Sequence, residues 1–260
     1  MSGQSANSFV YGIHAVDALL RQRAAGVQCI AIDNQRQDKR IAALVELAKN
    51  QGVAVERSTK QSLDEKVTGR HQGVVAQLRE GASSAGDNLW SESQLLQHLE
   101  ALQAQTAAPR LLLVLDGVTD PHNLGACLRS ADAAGVDAVI VPKDKSADLT
   151  PVVSKVACGA AETVPFVKVT NLSRTLQALQ QIGFWVFGTD GEAEKTIYNS
   201  DISSSVALVM GAEGKGLRRL TKENCDHLIR LPMAGSVSSL NVSVAAGICL
   251  FEAVRQRSGS

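Results

Sequence analysis

Residues 111–115 read Leu-Leu-Leu-Val-Leu, an uninterrupted apolar run that strongly restricts how this chain can fold. A strand that is apolar at every position is buried on both faces, as in parallel sheets covered by helices. The run is followed by a loop with Gly117, a helical pattern up to Ala134, and Gly135, a residue typical of helix ends. This order predicts one strand–loop–helix unit of a parallel α/β sheet.

The same alternation continues to the end of the chain. Further short apolar runs predict strands at residues 138–141, 164–169, 184–188, 206–210 and 228–231. Periodic apolar positions predict helices at residues 172–181 and 241–255. Strands that alternate with helices in this way are typical of a doubly wound α/β domain.

Residues 9–79 predict a separate, smaller α/β domain, because strand and helix patterns alternate there over shorter segments. Gly, Ala and Ser dominate residues 80–88, which is typical of a linker, and residues 89–104 predict a helix that leads into the next domain. We therefore predict a small domain at residues 9–79, a linker at 80–108 and a larger domain at 109–257.

The composition is that of an ordinary globular protein, with 45% apolar and 20% charged residues. The formal net charge is zero, so overall basicity is no argument for a nucleic-acid partner, although the first eighty residues carry a slight basic excess. Aromatic residues make up only 3% of the chain, which disfavours RNA binding through broad aromatic stacking surfaces.

The five cysteines include no CxxC pair, which disfavours a disulfide framework and a zinc site and indicates a reducing compartment. The N-terminus shows no signal-peptide pattern, and no apolar run approaches the length of a membrane span. We expect a cytoplasmic protein with no membrane contact and no metal requirement.

Three polar segments, residues 116–129, 210–217 and 231–243, each follow a predicted strand. Because ligands bind at the carboxyl edge of open parallel sheets, these segments predict the functional edge. The GxGxxG fingerprint is missing after the first strand of the larger domain, and GxxxxGK[ST] does not occur, which argues against a NAD-type enzyme and a P-loop. The glycines of the second segment are spaced GxxGxG, a pattern that by itself is also typical of a tight turn.

The three segments contain DPHNLGACLRSADAAG, VMGAEGKGL and PMAGSVSSLNVSVAAGI, and these resemble, in order and spacing, the three motifs of the SpoU-type RNA 2′-O-methyltransferases of the SPOUT superfamily. YGIHAVDALL and HQGVVAQL resemble the substrate-binding domain of that family, so the resemblance covers about residues 9–257. Within the family, the resemblance is strongest to the bacterial branch that methylates a guanosine in the peptidyl-transferase P-loop of 23S rRNA.

The resemblance implies a small N-terminal α/β RNA-binding domain and a C-terminal α/β methyltransferase domain with a trefoil knot. General topology rules disfavour knots, so that expectation rests on the resemblance alone. It also implies S-adenosyl-L-methionine as cofactor, the 2′-hydroxyl of a guanosine ribose in 23S rRNA as methyl acceptor, and a homodimer with each active site near the subunit interface. The small-residue stretch 245–247 on the last helix would permit close approach of two helices.

By the same resemblance, five positions match the catalytic set of the family: Arg129, Asn123, Glu213, Ser239 and Asn241. Five match positions that enclose the cofactor: Gly211, Leu231, Leu240, Met210 and Ser239. The leucines could equally be plain core residues. Glu213, Ser239 and Asn241 could equally cap helices, since their side chains accept hydrogen bonds from the first turn.

Asn123 is expected at the N-cap of the helix after the first strand of the larger domain, where it either only caps or also positions Arg129 or the ribose. Arg129 is expected nearest the chemistry. A guanidinium has no acceptor lone pair and a pKa above about 12, so stabilising the developing 2′-alkoxide is easier for it than acting as a base. Its alternative role is a surface ion pair with Asp132. Histidine is a common general base in enzymes, but His122 and His71 match no catalytic position of the family.

Two other functions remain open at this point. The first is the same methyl transfer to tRNA, against which the N-terminal domain argues because it resembles the rRNA enzymes. The second is a non-catalytic RNA-binding or ribosome-assembly protein, against which the intact motifs argue, Arg129 and Glu213 above all.

Overall fold

A computed structural model of the chain describes residues 9–67, 69, 71–79 and 88–258. These residues fall into two compact units. The smaller unit lies within Met1–Asn88 and Ser154–Thr163, and the larger within Leu89–Val153 and Val164–Ser260. The larger unit therefore begins inside the predicted linker, of which residues 80–87 lie outside the described residues. Part of the predicted larger domain, Ser154–Thr163, belongs to the smaller unit.

The smaller unit is a four-stranded mixed sheet with three helices in its N-terminal portion. In chain order these elements are β1 (Phe9–Tyr11), α1 (Ile13–Arg23), β2 (Val27–Asp33), α2 (Lys39–Asn50), β3 (Ala54–Ser58), α3 (Lys60–Lys66) and β4 (Val74–Leu78). The strand order is β1-β4-β2-β3, in which β4 is antiparallel to both neighbours and β2 is parallel to β3.

The helices of this unit cover both faces of its sheet. Val16 of α1 and Leu44 of α2 pack with Ile30 in one apolar cluster. Leu63 of α3 packs with Val75 in another. Neighbouring strand residues point to opposite faces, so both faces of β2 and β4 are buried, which explains why the strand patterns there are almost continuously apolar.

The remaining elements begin at Leu89 and alternate strand with helix. They are β5 (Leu89–Trp90), α4 (Glu92–Gln105), β6 (Leu111–Asp116), α5 (Pro121–Ala133), β7 (Ala138–Pro142), α6 (Pro151–Ala157), α7 (Ala160–Thr163), β8 (Phe166–Val169), α8 (Leu172–Gln181), β9 (Trp185–Thr189), β10 (Lys195–Thr196), β11 (Val206–Gly211), α9 (Arg219–Glu223), β12 (His227–Arg230) and α10 (Val242–Ser258). The longer elements match the predicted strands and helices, whereas the short β5, β10, α6, α7 and α9 had no sequence pattern of their own.

The sheet of the larger unit has eight strands in the order β10-β12-β9-β11-β6-β7-β8-β5, and every neighbouring pair is parallel. All six residues of β6 are buried, as the apolar run predicted. The two strands β6 and β11 lie side by side in the middle of the sheet. The chain proceeds from β6 to one edge and later fills the other side, so the topological switch point falls between these two strands.

Helix α5 begins differently from the prediction. Its N-cap is Asp120, whose carboxylate accepts a hydrogen bond from the backbone N–H of His122 at 2.8 Å, and Pro121 is the first helical residue. Asn123, which was predicted as the cap, lies in the first turn and is buried. Its side chain is therefore available for contacts with other segments. Within the described part of the chain, no helix combines the length and apolar character needed to cross a membrane.

A substitution in α4 can test whether residues 89–105 belong to the core of the larger unit. Leu95 and Leu99 are fully buried in the same apolar cluster as the sheet strands, and β5 pairs with β8. Leu99→Ala should lower the free energy of unfolding by about 2–5 kcal/mol, because it leaves a cavity in a packed core. The control Glu100→Ala, at an exposed neighbouring position, should change it by less than about 0.5 kcal/mol. Equal melting curves for the two variants would show that this segment is a linker.

Candidate active site

The site lies where β6 and β11 end. These strands are paired in parallel along their whole length, with Asp116 opposite Gly211 at the last pair. The loops that follow them therefore emerge next to each other at the carboxyl edge of the sheet. The loop after β6 leads into α5. Of the three glycines noted in the sequence, Gly211 ends β11, and Gly214 and Gly216 lie in the loop after it.

Glu213 connects three separate segments of the chain. Its Oε1 accepts hydrogen bonds from Asn123 Nδ2 at 3.2 Å, from Asn241 Nδ2 at 2.6 Å and from the backbone N–H of Val242 at 3.4 Å. Asn241 Nδ2 also donates to Asn123 Oδ1 at 2.9 Å. Three of the five predicted catalytic residues thus form one hydrogen-bonded network around a single carboxylate oxygen.

Asn241 also has the capping role that was considered for it. Its Oδ1 accepts from the backbone N–H of Ser243 at 2.9 Å, directly at the start of α10. The same side chain therefore ends the last loop, caps the last helix and contacts Glu213. Capping and participation in the site are compatible here, because the amide donates through Nδ2 and accepts through Oδ1.

The loop that carries Glu213 is a tight turn that depends on glycine. The N–H of Ala212 donates to Gly216 O at 3.2 Å, and the N–H of Gly216 donates to Ala212 O at 2.9 Å. Gly214 has φ 72° and Gly216 has φ 64°, a region that favours glycine. A Cβ at Gly211 would lie 2.3 Å from the carbonyl carbon of Gly216, so only glycine permits this approach.

A cavity of about 660 Å³, here named the first cavity, opens beside this loop. Its volume falls in the range of small-molecule sites. All five residues predicted to enclose the cofactor line it, and so do two further residues of the predicted catalytic set, to which Ser239 also belongs: Met210, Gly211, Leu231, Ser239, Leu240, Glu213 and Asn241. The walls are contributed by the ends of β9, β11 and β12 and by the loop before α10, which is how residues far apart in sequence converge.

A second cavity of about 720 Å³ lies on the other side of the Glu213 network. It is lined by the loop after β6, including Asn123, and by the glycine loop. The two cavities share Glu213 and Val242 in their walls. The network therefore separates two spaces, one of them lined by the predicted cofactor residues.

Arg218 and Asp116 are residues of this region that the sequence analysis did not single out. Asp116 is fully buried, and its carboxylate accepts hydrogen bonds from Arg218 N at 3.0 Å and from Arg218 Nε at 2.5 Å. Both residues line the second cavity. A carboxylate at the end of a wholly apolar strand was the available signal, since a buried charge requires a partner.

Arg129 lines neither cavity. It is exposed on α5, and its side chain makes no hydrogen bond or ion pair to another described residue, Asp132 included. Of the predicted catalytic set, Ser239 lines the first cavity without a hydrogen bond to the Glu213 network, and Arg129 is the residue that lines neither cavity of a single chain.

The histidines make no contact with the network. His71 is buried in the smaller unit, where its Nδ1 accepts from Gly73 N at 2.9 Å, so its Nε2 carries the proton toward Asp64 Oδ1 at 2.9 Å. His122 is exposed in the first turn of α5. Among the residues that the structure describes, no group of three or more His, Cys, Asp or Glu side chains is arranged to hold a metal ion.

The cysteines are unsuited to nucleophilic chemistry at this site. Burial, and next the charge of Glu213, raises the pKa of Cys127 to about 12, and burial raises the pKa of Cys249 to about 12. Their thiolate forms are therefore negligible near neutrality. Cys158 is exposed and Cys225 is partly buried, and neither lines the two cavities.

The close approach at Gly211 leads to a stability prediction. Gly211→Ala should lower the free energy of unfolding by roughly 1–3 kcal/mol, because the new methyl group overlaps the backbone of Gly216. Gly191→Ala is the control, since Gly191 lines the same cavity and no atom lies within 4 Å of its added Cβ. It should change stability by less than about 0.5 kcal/mol. The measurement is thermal unfolding of both variants. A Gly211→Ala protein with the stability of the wild type would contradict the turn geometry.

Comparison with known proteins agrees with this geometry. The model of the SpoU rRNA Methylase family matches residues 110–251, and the model of the RNA 2′-O ribose methyltransferase substrate-binding domain matches residues 9–82. The 23S rRNA (guanosine-2′-O-)-methyltransferase RlmB of Pseudomonas putida is 58% identical over 248 residues, which cover 95% of this chain and 96% of that protein. The RlmB of Escherichia coli (strain K12) is 54% identical over 253 residues, covering 97% of this chain and all (100%) of that protein.

Solved structures show the same fold. The SpoU methyltransferase AviRb of Streptomyces viridochromogenes, in complex with the cofactor AdoMet, superposes with a TM-score of 0.70 at 25% identity, covering 98% of this chain and 92% of that one. The predicted fold class, a small N-terminal α/β domain and a C-terminal α/β methyltransferase domain, is thereby confirmed. The trefoil knot stays a prediction of the resemblance. The chain belongs to the SpoU family of RNA 2′-O-methyltransferases, with a substrate-binding domain followed by the methylase domain.

Proposed function

We propose that this protein transfers the methyl group of S-adenosyl-L-methionine to the 2′-hydroxyl of a guanosine ribose in 23S rRNA, in the cytoplasm. The observation that carries the proposal is the Glu213 network, in which Asn123 and Asn241 from two different motifs meet one carboxylate at the wall of the first cavity. The names of the relatives at 54–58% identity support the guanosine of 23S rRNA as the acceptor.

The first cavity fits this cofactor in size and in chemistry. Met210, Leu231 and Leu240 supply apolar surface suited to the adenine ring, and Gly211 lines the same cavity with its backbone. The sulfonium is a cation, and the carboxylate of Glu213 lines the same cavity, so its charge is of the favourable sign. Ser239 supplies a hydroxyl at the mouth. When bound, the cofactor supplies an activated methyl group.

The residues of the chain have to orient the ribose and dispose of one proton. For the transfer, the chain would have to align the 2′-oxygen with the methyl group that the bound cofactor would supply, and the hydroxyl proton would pass to solvent water. Oε1 of Glu213 already accepts three donors, so its role is to hold Asn123 and Asn241 in place. Correct alignment of the reacting atoms is itself a large part of such catalysis.

Arg129 is the proposed cation of the reaction. A guanidinium is a permanent positive charge with five donors, suited to stabilise the developing 2′-alkoxide and to hold an adjacent phosphate. Because it lies outside both cavities of a single chain, it has to meet the acceptor in an assembly of two chains. The proposed function therefore includes a homodimer.

The exposed face of α10 supports that dimer. Val244 and Phe251 are each 50% exposed there, and α10 packs against α5, the helix of Arg129. Exposed apolar side chains on a helix next to a functional residue are typical of an interface. The small residues 245–247 are a weaker argument than expected, because Gly247 faces Ser130 of α5 within the same chain.

The acceptor is tested by mapping 2′-O-methylation by mass spectrometry on 23S rRNA and tRNA from cells that lack this protein. One guanosine of 23S rRNA should lose its methyl group, and the wild-type gene should restore it. Loss confined to a tRNA would make the chain a tRNA 2′-O-methyltransferase. Unchanged methylation with tight RNA binding would indicate the non-catalytic assembly role.

The role of Arg129 is tested by subunit mixing. Arg129→Ala and Glu213→Ala should each lower turnover by a large factor, whereas Arg129→Ala should leave cofactor affinity in calorimetry nearly unchanged, since its interaction forms late in the reaction. If Arg129 acts in the partner's site, mixed dimers of the two variants contain one intact site and regain activity. If it acts in its own site, every site of a mixed dimer is damaged and no activity returns.

Near wild-type turnover of Arg129→Ala would remove the residue from the mechanism altogether. Arg129→Lys refines the result, because lysine keeps the charge but not the planar fork. Substantial activity of the lysine variant indicates that charge alone is sufficient. The melting temperature of each variant is the control for folding.

A further inference from the structure

The second cavity contains a cation that is fixed before any substrate arrives. Arg218 begins the segment after the glycine loop, and its backbone N–H and Nε both donate to the carboxylate of Asp116. That carboxylate is completely buried, whereas the side chain of Arg218 is 47% exposed. The buried Asp116 thus fixes the position of Arg218, and the exposed part of the Arg218 side chain faces the second cavity.

The free donors of Arg218 lie on its two terminal nitrogens. Only Nε of the guanidinium is engaged among the described residues, so four N–H groups remain for a ligand or for water. A planar pair of donors matches two oxygens of one phosphate. Because the Nε contact restricts rotation of the side chain, less entropy is lost when such a ligand binds.

Lys145 lines the same cavity from the loop after β7. It has a left-handed backbone, with φ 59°, which costs a residue other than glycine about 1 kcal/mol or more. A hydrogen bond from Ala147 N to Val118 O, 2.9 Å long, holds this loop on the loop after β6. Lys145 is exposed and forms no ion pair with another described residue.

The acidic groups of the cavity are already engaged. Asp116 is paired with Arg218, Asp120 caps α5, and Glu213 accepts the three bonds of the network. Lys215, also in the lining, is exposed and unpaired within the described residues, like Lys145. Lys145, Lys215 and the terminal nitrogens of Arg218 therefore offer charged donors to a ligand, while each carboxylate of the lining already accepts at least one hydrogen bond.

We propose that the second cavity binds the RNA phosphodiester next to the target ribose, with Arg218 as the main phosphate ligand, Lys145 as a second one and Asp116 as the residue that positions Arg218. The inference rests on the proposed function and deepens it. The two cavities share the wall that contains Glu213, Gly216 and Val242, so the ribose next to a phosphate held in the second cavity adjoins the first cavity, where the methyl donor is proposed to bind.

The experiment compares RNA binding of full-length variants with an in vitro transcript of the peptidyl-transferase loop of 23S rRNA. Arg218→Ala alone would leave Asp116 buried without its cation, which destabilises proteins strongly. The decisive variant is therefore the double change Asp116→Asn with Arg218→Ala. Arg219→Ala is the matched control, since Arg219 is the next residue, is paired with Glu223 and does not line the second cavity.

The double variant should bind the transcript about tenfold more weakly or worse, because it loses a charge-assisted bidentate contact. The slope of log Kd against log salt concentration should fall by about one. Calorimetric affinity for S-adenosylmethionine should stay unchanged. Asp116→Asn alone should weaken RNA binding nearly as much as the double change, because it acts through Arg218, and such non-additivity is not expected of a merely structural residue.

Unchanged RNA affinity and salt slope in a folded double variant would overturn the proposal, as would an equal loss in Arg219→Ala. If the double variant does not fold, Arg218→Lys tests the proposal instead. This variant keeps the positive charge that Asp116 requires and loses the planar pair of donors of the guanidinium. The RNA affinity of Arg218→Lys should then fall with no change in cofactor affinity. An RNA affinity equal to that of the wild-type protein would contradict the proposal. Methylation of the transcript by the wild-type protein is measured in parallel, so a failure of the proposed function is recognised separately.

Discussion

The parallel pairing of β6 with β11 is the constraint on which the rest of the site depends. Six consecutive residue pairs join the two strands, and the last pair sets Asp116 opposite Gly211. Any shift of this register would move the two loops apart along the edge of the sheet. With the register as it is, the loop before α5 and the glycine loop face each other, and one carboxylate can contact both Asn123 and the start of α10.

Glu213 and Asp116 hold different side chains in place at this edge of the sheet. Glu213 gathers Asn123 and Asn241 and thereby forms the wall between two cavities. Asp116 is buried beneath the second cavity and holds Arg218 at its side. Each carboxylate fixes groups that would otherwise be mobile, so the site is organised before ligands bind. Preorganisation of this kind reduces the cost of ordering these side chains on ligand binding.

The boundaries of the two compact units differ from those that the composition of the chain predicts. Residues 89–104 were predicted as a helix inside the linker that leads into the larger domain, yet β5 extends the large sheet and α4 buries Leu95 and Leu99 against it. Ser154–Thr163 lies between two strands of the large sheet but belongs to the smaller unit. There, α7 packs on α1, and Gly159 allows the close approach to Ala18. Such contacts join residues far apart in sequence and leave no periodic pattern.

The sequence by itself determined the α/β class and the long strands and helices, because apolar periodicity is a local property of the chain. The three motifs and their predicted site residues followed from the resemblance to the SpoU family. It placed Asn123 in the site but took it for a helix cap, since both Asp120 and Asn123 are good caps and only the fold decides which one ends the loop. Tertiary structure alone decided that Glu213 is the common acceptor, that Arg218 is held by Asp116 across 102 residues, and that Arg129 lies outside both cavities. The physical reason is that strand order and register set which loops meet, and these depend on long-range packing that no local pattern encodes.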